Sequence, residues 1–180
     1  MIGSAAFRTR ARRVTFILMD VDGVLTDGRL RIGAGPGESR SFHVRDGSGI
    51  VIARRLGVRT GFLSGRGDAG VRRRARELGV DEVILGARNK RAVYEDLLRR
   101  LGLGNEAVCY IGDDLVDLPV LRRAGLPVVV ADAHPEVRRG APFVTRAPGG
   151  FGAVREVIDG IVRAQGKMRQ VLAMFEGTAS

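Results

Sequence analysis

The sequence predicts one α/β domain built on a doubly wound parallel sheet, with helices on both faces in a three-layer arrangement. Short apolar runs alternate with longer amphipathic segments along most of the 180-residue chain, which is typical of repeated strand–helix units. The first apolar run, residues 14–19, ends in a group of acids, as expected where a buried strand reaches the ligand-binding edge of such a sheet. Right-handed helical crossovers between parallel strands give this architecture.

The segment after the first strand predicts a two-stranded hairpin that projects from the main sheet. Residues 28–43 are rich in glycine around a central turn. Leu30 and Ile32 alternate with polar residues before this turn, and Phe42 and Val44 do so after it. Alternation on both sides of a glycine-rich turn is typical of a β-hairpin.

The rest of the chain is predicted to alternate helices and strands, with glycine or a polar cap at most boundaries. The predicted helices lie at residues 46–56, 68–78, 89–101, 115–124, 134–139 and 154–162, and the predicted strands at 58–63, 83–85, 107–111, 127–130 and 143–144. Asp68 and Asn89 are the expected N-caps of the second and third helices. We expect a single domain over residues 1–180, with a disordered tail at 1–12 and a C-terminal tail at about 166–180.

Composition limits the class of protein. Hydrophobic residues make up 44% of the chain, which favours a globular domain over a disordered one. No apolar run is long enough to span a membrane, and the basic N-terminus lacks the apolar stretch of a signal peptide. The single cysteine, Cys109, lies in a predicted strand, so we expect a buried thiol and no disulfide. These observations favour a cytoplasmic enzyme with no membrane partner.

The net charge of +10 comes almost entirely from arginine, in pairs and triplets spread over most predicted helices. Clustered arginines suit the phosphates of nucleic acid, but no nucleic-acid motif or interleaved set of aromatic residues accompanies them. We therefore expect a solvated basic surface and no nucleic-acid partner. Such a surface would also attract an anionic substrate.

Polar residues at strand ends and at one helix start are expected to converge at one edge of the sheet. They are Asp20 with Asp22, Ser64, Lys90, and Asp113 with Asp114. Carboxylates next to a buried strand are costly without positive charge nearby, which favours a divalent cation with a phosphate as the other ligand. Almost every other basic residue is arginine, so a lysine at position 90 indicates that this position requires a compact ammonium charge and not a planar guanidinium.

The motifs around these residues resemble a known superfamily. DVDGVLTDG (20–28), LSGR (63–66), Lys90 and GDDLVDLPVL (112–121) resemble, in order, the four motifs of the haloacid dehalogenase superfamily of phosphohydrolases. FHVRDGSGI (42–50), NKRAVYEDLL (89–98), ADAHPEVRRGAPFVT (131–145) and GGFGAVREVID (149–159) look like the 3-deoxy-D-manno-octulosonate 8-phosphate phosphatases within it. The resemblance implies a Rossmann-like core and an enzyme of lipopolysaccharide biosynthesis.

The resemblance also implies a role for each motif residue. Asp20 is the nucleophile that forms an aspartyl-phosphate, and Asp22 is the general acid and then the general base. Ser64 and Lys90 bind the transferring phosphoryl group, and Lys90 also orients Asp20. The implied cofactor is Mg²⁺, held by Asp20, the backbone carbonyl of Asp22, Asp113 and Asp114.

The chain leaves no room for a cap domain between its motifs, and the resemblance implies a homotetramer whose hairpins and neighbouring subunits close each site. The apolar residues of the predicted hairpin are consistent with such an assembly, since an isolated hairpin buries them poorly. The implied substrate is a small sugar-acid phosphate. Its implied contacts are Asp22, His43, Val44, Arg45, Asp46, Gly47, Arg66, Arg74 and Lys90.

Some positions and some functions stay open. Asp27 is expected to be a turn residue and His134 a helix cap. Asp117 is equally consistent with a surface acid and with the support of the metal region that the resemblance implies. Val51 and Phe151 replace arginines found in relatives, which keeps the nine-carbon analogue, 2-keto-3-deoxynononate 9-phosphate, as an alternative substrate. An inactive scaffold or a nucleic-acid-binding homologue is the alternative from another class.

Overall fold

A five-stranded parallel sheet forms the centre of the computed structural model, which describes residues 1–32, 38–67 and 69–177. The order of its strands is β5-β4-β1-β6-β7, and helices flank it, which confirms the predicted α/β class. The strands are β1 (Phe16–Met19), β4 (Arg59–Ser64), β5 (Glu82–Leu85), β6 (Val108–Gly112) and β7 (Leu126–Val129). The order reverses at β1, so the crevice expected for a ligand lies at the carboxyl ends of β1 and its neighbours.

The central strand is apolar along its whole length because both faces of the sheet are covered. All four residues of β1 are buried, and Met19 pairs with Phe62 of β4 and with Ile111 of β6. Gly61 in β4 lets the rings and methyls of β1 pack closely, since a Cβ there would overlap the Phe16 ring. The Cys109 thiol in β6 is also buried, and this burial raises its pKa.

Eight α-helices surround the sheet in the described part of the chain. Their bounds are α1 (Ala5–Ala11), α2 (Val44–Arg55), α3 (Ala69–Leu78), α4 (Lys90–Leu101), α5 (Leu118–Leu121), α6 (Pro135–Gly140), α7 (Ala153–Ala164) and α8 (Met168–Phe175). Helices α2 and α7 pack against each other, and α7 also contacts α1 and α8. None of the described helices combines the length and apolar character needed to cross a membrane.

The hairpin is present, but its second strand differs from the prediction. β2 (Arg31–Ile32) pairs antiparallel with β3 (Glu38–Ser39), and the predicted turn falls largely outside the described residues. The predicted strand at Phe42 and Val44 was wrong, because Val44 already belongs to α2. His43 caps this helix with Nδ1, which accepts from the Arg45 backbone N–H at 3.2 Å, and α2 therefore begins two residues earlier than predicted.

Both chain ends carry helices where the sequence predicted tails. Ser4 Oγ accepts from the Phe7 backbone N–H at 3.2 Å and caps α1. The Phe7 ring is buried and meets the Phe143 ring edge-on, with centroids 5.4 Å apart. This packing anchors the segment in spite of its basic surface, so the prediction of a disordered tail at 1–12 was wrong for α1. Helix α8 likewise occupies residues assigned to the C-terminal tail.

Two further predictions were wrong in detail. The helix expected at 115–124 is a 3-10 turn at Leu115–Asp117 followed by the single turn of α5, with Pro119 in its first turn. The strand expected at 143–144 is only one bridge between Val129 and Val144. Asn89 caps α4 as predicted, whereas the expected cap Asp68 lies outside the described residues.

Candidate active site

Polar side chains gather at the carboxyl ends of the central strands, as the sequence predicted. Asp20 follows β1, Ser64 ends β4, Asp113 follows β6, and Lys90 is the first residue of α4. All four line a cavity of about 710 Å³, together with Asp22, Arg66 and Asp114. The strand ends thus bring together seven of the residues that the sequence nominated for chemistry or binding.

A buried ion pair joins the first and third motifs. Lys90 Nζ lies 2.7 Å from Asp20 Oδ2 and also 2.7 Å from Asp117 Oδ1. The other oxygen of Asp20, Oδ1, accepts from the Val21 backbone N–H at 2.7 Å. Asp20 and Lys90 are each 6% exposed, so little water screens their attraction. The pair fixes the direction of the Asp20 carboxylate.

Asp117 organises this side of the cavity, which settles the alternative that the sequence left open. It is fully buried, and Oδ1 accepts from the Tyr110 hydroxyl at 2.6 Å in addition to Lys90. Oδ2 accepts from the backbone N–H groups of Asp113 and Asp114 at 3.0 and 3.3 Å. With both oxygens occupied, Asp117 supports the neighbouring groups and is not a surface acid.

Burial and the closeness of several carboxylates shift the pKa values of the ionisable groups in the cavity. Burial, with the charges of Asp20 and Asp117, raises the pKa of Asp113 to about 8. Burial and Asp117 raise the pKa of Asp20 to about 6, against the opposing effect of Lys90. Burial lowers the pKa of Lys90, but Asp20 and Asp117 outweigh it and the net shift is upward. The ammonium therefore stays charged, and the carboxylates need a further cation.

The donor set fits a hard divalent cation. Oxygens of Asp20, Asp113 and Asp117 lie within 4.8 Å of one another. Oδ1 of Asp113 is buried and has no hydrogen-bond partner among the described residues. Gly23 leaves room for this carboxylate, since a Cβ there would overlap it. An all-oxygen donor set beside an open cavity suits Mg²⁺.

Asp22 is held by an arginine that the sequence analysis did not single out. Arg40 Nε lies 2.5 Å from Asp22 Oδ1, and its Nη2 lies 2.9 Å from Glu38 Oε2. The Arg40 side chain is only 2% exposed. Glu38 also approaches Arg66 Nη1 at 3.7 Å. These contacts connect the hairpin to the rim of the cavity.

Ser64 and Asp114 line the cavity, and the side chain of each accepts one backbone hydrogen bond. Ser64 Oγ accepts from the Arg66 backbone N–H at 3.1 Å, so its own proton is available to another acceptor. Asp114 Oδ1 accepts from the Leu115 backbone N–H at 2.7 Å and caps the 3-10 turn. Asp27 Oδ1 accepts from the Arg29 backbone N–H, and His134 caps α6, which confirms both structural predictions.

Six of the residues nominated as substrate contacts lie outside the cavity of the single chain: His43, Val44, Arg45, Asp46, Gly47 and Arg74. The two carboxylate oxygens of Asp46 accept from the backbone N–H groups of Gly152 and Arg155, at 3.1 and 2.8 Å. Burial raises the pKa of this carboxyl group. Asp46 thus caps the N-terminus of α7, a structural role that the sequence did not predict.

The other outlying residues lie at the start of α2 and on α3: Val44 and Arg45 are exposed, His43 and Arg74 are half-buried, and Gly47 is buried. Val44 is 76% exposed. Arg74 pairs with Glu77 at 2.8 Å, and its guanidinium lies 5.9 Å from the Phe42 ring. Of the two positions that depart from the family pattern, Val51 is half-buried on α2 and Phe151 is exposed.

Sequence reasoning missed Arg40 and Tyr110, and it left Asp117 undecided. The sequence offered two signals for Asp117: its place in the motif GDDLVDLPVL, and its spacing from Asp114, with which it forms a reciprocal capping box. Tyr110 sits three residues before Asp113 in an apolar strand, where an aromatic residue is expected for packing alone. Arg40 resembles every other arginine of this basic chain.

Comparison with known proteins gives the class of this protein. A family model for haloacid dehalogenase-like hydrolases matches residues 43–125. The fold and the acid–lysine site described above agree with that assignment, and the chain is a hydrolase of this class.

Full-length relatives define the family more closely. The 3-deoxy-D-manno-octulosonate 8-phosphate phosphatase KdsC of Escherichia coli K12 is 42% identical over 165 residues, 92% of this chain and 88% of the relative. The crystal structure of the Yersinia pestis phosphatase of that name has a TM-score of 0.90 and 41% identity, covering 92% of this chain and 89% of the other. The chain belongs to the 3-deoxy-D-manno-octulosonate 8-phosphate phosphatase family.

One solved relative carries ligands. The Moraxella catarrhalis 3-deoxy-D-manno-octulosonate 8-phosphate phosphatase was crystallised in complex with a magnesium ion, a phosphate ion and a KDO molecule. It has a TM-score of 0.91 and 35% identity to this chain, with coverage of 93% of this chain and 97% of the other.

Proposed function

We propose that this chain hydrolyses 3-deoxy-D-manno-octulosonate 8-phosphate to KDO and inorganic phosphate, as a step of lipopolysaccharide biosynthesis. The observation that carries the chemistry is the buried pair of Asp20 and Lys90 at the floor of a cavity of about 710 Å³. The relative that holds magnesium, phosphate and KDO supports the choice of substrate and cofactor.

Asp20 is the proposed nucleophile. Its carboxylate attacks phosphorus, the bond from phosphorus to the sugar oxygen breaks, and an aspartyl-phosphate forms. Lys90 Nζ, 2.7 Å from Oδ2 of Asp20, holds this carboxylate in position and offsets the negative charge of the phosphoryl group. Ser64 donates its free hydroxyl proton to a phosphoryl oxygen.

Asp22 is the proposed acid and base. It gives its proton to the departing sugar oxygen, and then takes one from the water that attacks the aspartyl-phosphate and frees Asp20. Arg40 donates to Oδ1 of Asp22, which leaves Oδ2 as the oxygen proposed to transfer the proton. The cycle returns both aspartates to their starting forms.

Mg²⁺ is the proposed cofactor, held by Asp20 and Asp113 with the backbone carbonyl of Asp22 and with Asp114 as further candidates. When bound, it would shield the charge of the phosphate from the carboxylates around it. Asp117 keeps its place behind these residues because its own oxygens are already occupied.

We also propose a homotetramer in the cytoplasm. Ile32 on the hairpin, Val44 and Phe151 are 78%, 76% and 59% exposed, and a subunit interface would cover them. His43, Val44 and Arg45 would then contact the substrate of a neighbouring subunit. A molar mass of one subunit in solution at full activity would contradict this assembly, and cell fractionation tests the location.

Phosphate release tests the function. The panel contains the eight-carbon substrate, its nine-carbon analogue and unrelated sugar phosphates, each with Mg²⁺ and with a chelator. We expect the highest kcat/KM for the eight-carbon substrate, no turnover with chelator, and loss of turnover in Asp20→Asn. A preference for the nine-carbon analogue would reassign the substrate, and full activity of Asp20→Asn would remove the proposed mechanism. Nucleic acid retained at physiological salt would favour the alternative class.

A further inference from the structure

A buried tyrosine lies behind Lys90. Tyr110 is on β6 with its side chain fully buried, and its hydroxyl donates to Asp117 Oδ1 at 2.6 Å. The same oxygen lies 2.7 Å from Lys90 Nζ, which also lies 2.7 Å from Asp20 Oδ2. Three hydrogen-bonded steps therefore connect Tyr110 to the proposed nucleophile.

The two oxygens of Asp117 serve different neighbours. Oδ2 accepts from the backbone of Asp113 and Asp114 and so fixes the loop that carries the proposed metal ligand. Oδ1 accepts from Tyr110 and Lys90. A change that removes only the Tyr110 hydroxyl therefore acts on Lys90 and leaves the contacts to the loop in place.

The hydroxyl is suited to this position because it stays neutral and donates. Burial, and the negative charge of Asp117 beside it, raise the pKa of Tyr110, so the phenol keeps its proton. Lys90 is shared between Asp20 and Asp117 at equal distances of 2.7 Å. A second donor on Oδ1 lowers the pull of Asp117 on the ammonium and favours an even sharing.

We propose that Tyr110 is a positioning residue of the phosphatase reaction, whose hydroxyl holds Lys90 toward Asp20 by occupying Asp117 Oδ1. Without it, Oδ1 would have one donor in a dry environment, and Lys90 would move toward Asp117 and away from the nucleophile. This inference rests on the proposed function, because it gives Lys90 and Asp20 their catalytic roles.

Tyr110→Phe tests the inference, because it removes one oxygen and keeps the ring. Tyr94→Phe is the matched control: Tyr94 is also fully buried, and its hydroxyl donates to Asn105 at 2.8 Å, away from the cavity. We expect kcat of Tyr110→Phe to fall about tenfold with KM within about twofold, as for other supporting partners of an active site. Tyr94→Phe should keep the kcat of the unmodified protein.

Mg²⁺ affinity, measured by calorimetry, separates positioning of Lys90 from general loosening of the site. We expect Tyr110→Phe to keep this affinity within about twofold, because Oδ2 of Asp117 still holds the Asp113 loop. A loss of Mg²⁺ affinity as large as the loss of kcat would overturn the inference, as would a kcat equal to that of Tyr94→Phe.

Rescue gives a second measurement that holds even if Tyr110→Phe folds poorly. Replacement of Tyr110 by 4-aminophenylalanine restores a donor at the same place and should recover most of kcat. A folded protein with this replacement and with kcat as low as Tyr110→Phe would overturn the inference. If the unmodified protein releases no phosphate from any sugar phosphate, the proposed function fails first, and that outcome is distinct from the others.

Discussion

The guanidinium of Arg40 lies 2.5 Å from the Oδ1 atom of Asp22, and this contact joins the hairpin to the proposed proton donor. Both partners are largely shielded from water, with side chains 2% and 22% exposed. Such a contact restricts the directions in which the Asp22 carboxyl can point. The position of the hairpin is therefore part of the geometry of the site.

Arg40→Gln should lower kcat about tenfold, because Asp22 loses the charged partner that orients it. Arg139→Gln is the control, since Arg139 also lies 2.5 Å from a carboxylate, that of Glu136, but both side chains are exposed and outside the cavity. Steady-state kinetics of the two variants measure the difference. Equal activity of both would mean that Arg40 has no part in orienting Asp22.

Lys90→Met should abolish most turnover, by about a thousandfold in kcat, because the phosphoryl group loses a fixed positive charge. It also leaves the buried carboxylates of Asp20 and Asp117 without their shared cation, which costs about 3 kcal/mol in the free energy of unfolding. Kinetics and urea unfolding measure the two effects.

The control for Lys90→Met is the same change at the other lysine of the sequence, Lys167. Lys167 is half-buried, and its Nζ donates to the Leu56 carbonyl at 3.1 Å, away from the cavity. Lys167→Met should keep the kcat of the unmodified protein. Comparable kcat values for the two variants would contradict the proposed role of Lys90.

The acid cluster predicts how stability depends on pH without metal. The pKa of Asp113 is raised from 3.8 to about 8, so above pH of about 4 the folded chain holds a proton that the unfolded chain has released. The stability from this group is complete below its ordinary pKa and is lost as pH rises toward 8. The same holds for Asp20 up to pH about 6.

With chelator present, Tm should therefore fall by about 5 °C between pH of about 5 and about 8, and Mg²⁺ should reduce this fall because the cation takes the place of the protons. Thermal unfolding at a series of pH values measures it. Asp113→Asn should flatten the profile in chelator. A Tm that rises with pH in chelator would contradict the raised pKa values.

Gly23→Ala should weaken Mg²⁺ binding more than about tenfold, an effect on the order of that of other outer-shell changes. Gly23 has a φ of +91°, and a Cβ there would overlap the Asp113 carboxylate. Gly57→Ala separates the two causes, since Gly57 has a φ of +80° but nothing within 4 Å of the added Cβ. It should lose about 1 kcal/mol of stability and keep its Mg²⁺ affinity. Equal Mg²⁺ affinity in both variants would show that the overlap with Asp113 has no effect on the metal.

The sheet could be predicted because its strands are continuous apolar runs, several of which end in glycine or acid. Helix α1 could not, because only Phe7 and Ala11 of its seven residues are buried, and their burial depends on a distant surface that includes the Phe143 ring. The local sequence of this basic segment gives no indication that a distant part of the chain packs against it. The break before α5 was missed for a similar reason, since a helical pattern extends across it.

The residues of the candidate site also fall into those that the sequence predicted and those that it did not. Asp20, Ser64, Lys90 and Asp113 follow from the rule that strand ends of a parallel sheet converge. Arg40 and Tyr110 do not, because what distinguishes each of them is a carboxylate that the fold brings close, Asp22 for Arg40 and Asp117 for Tyr110. An arginine in an arginine-rich chain and an aromatic residue in a buried strand are ordinary until that partner is known.

Asp46 has a consequence for genetic experiments on this protein. Its carboxylate caps the first turn of α7 from a position on α2, so replacing it should loosen two helices that lie against each other. Cells that depend on an Asp46→Ala protein should grow at low temperature and fail at high temperature. An activity screen at one high temperature would record a loss of activity that could be mistaken for lost substrate recognition. The molecules that remain folded, however, would hydrolyse the substrate with the kcat of the unmodified protein.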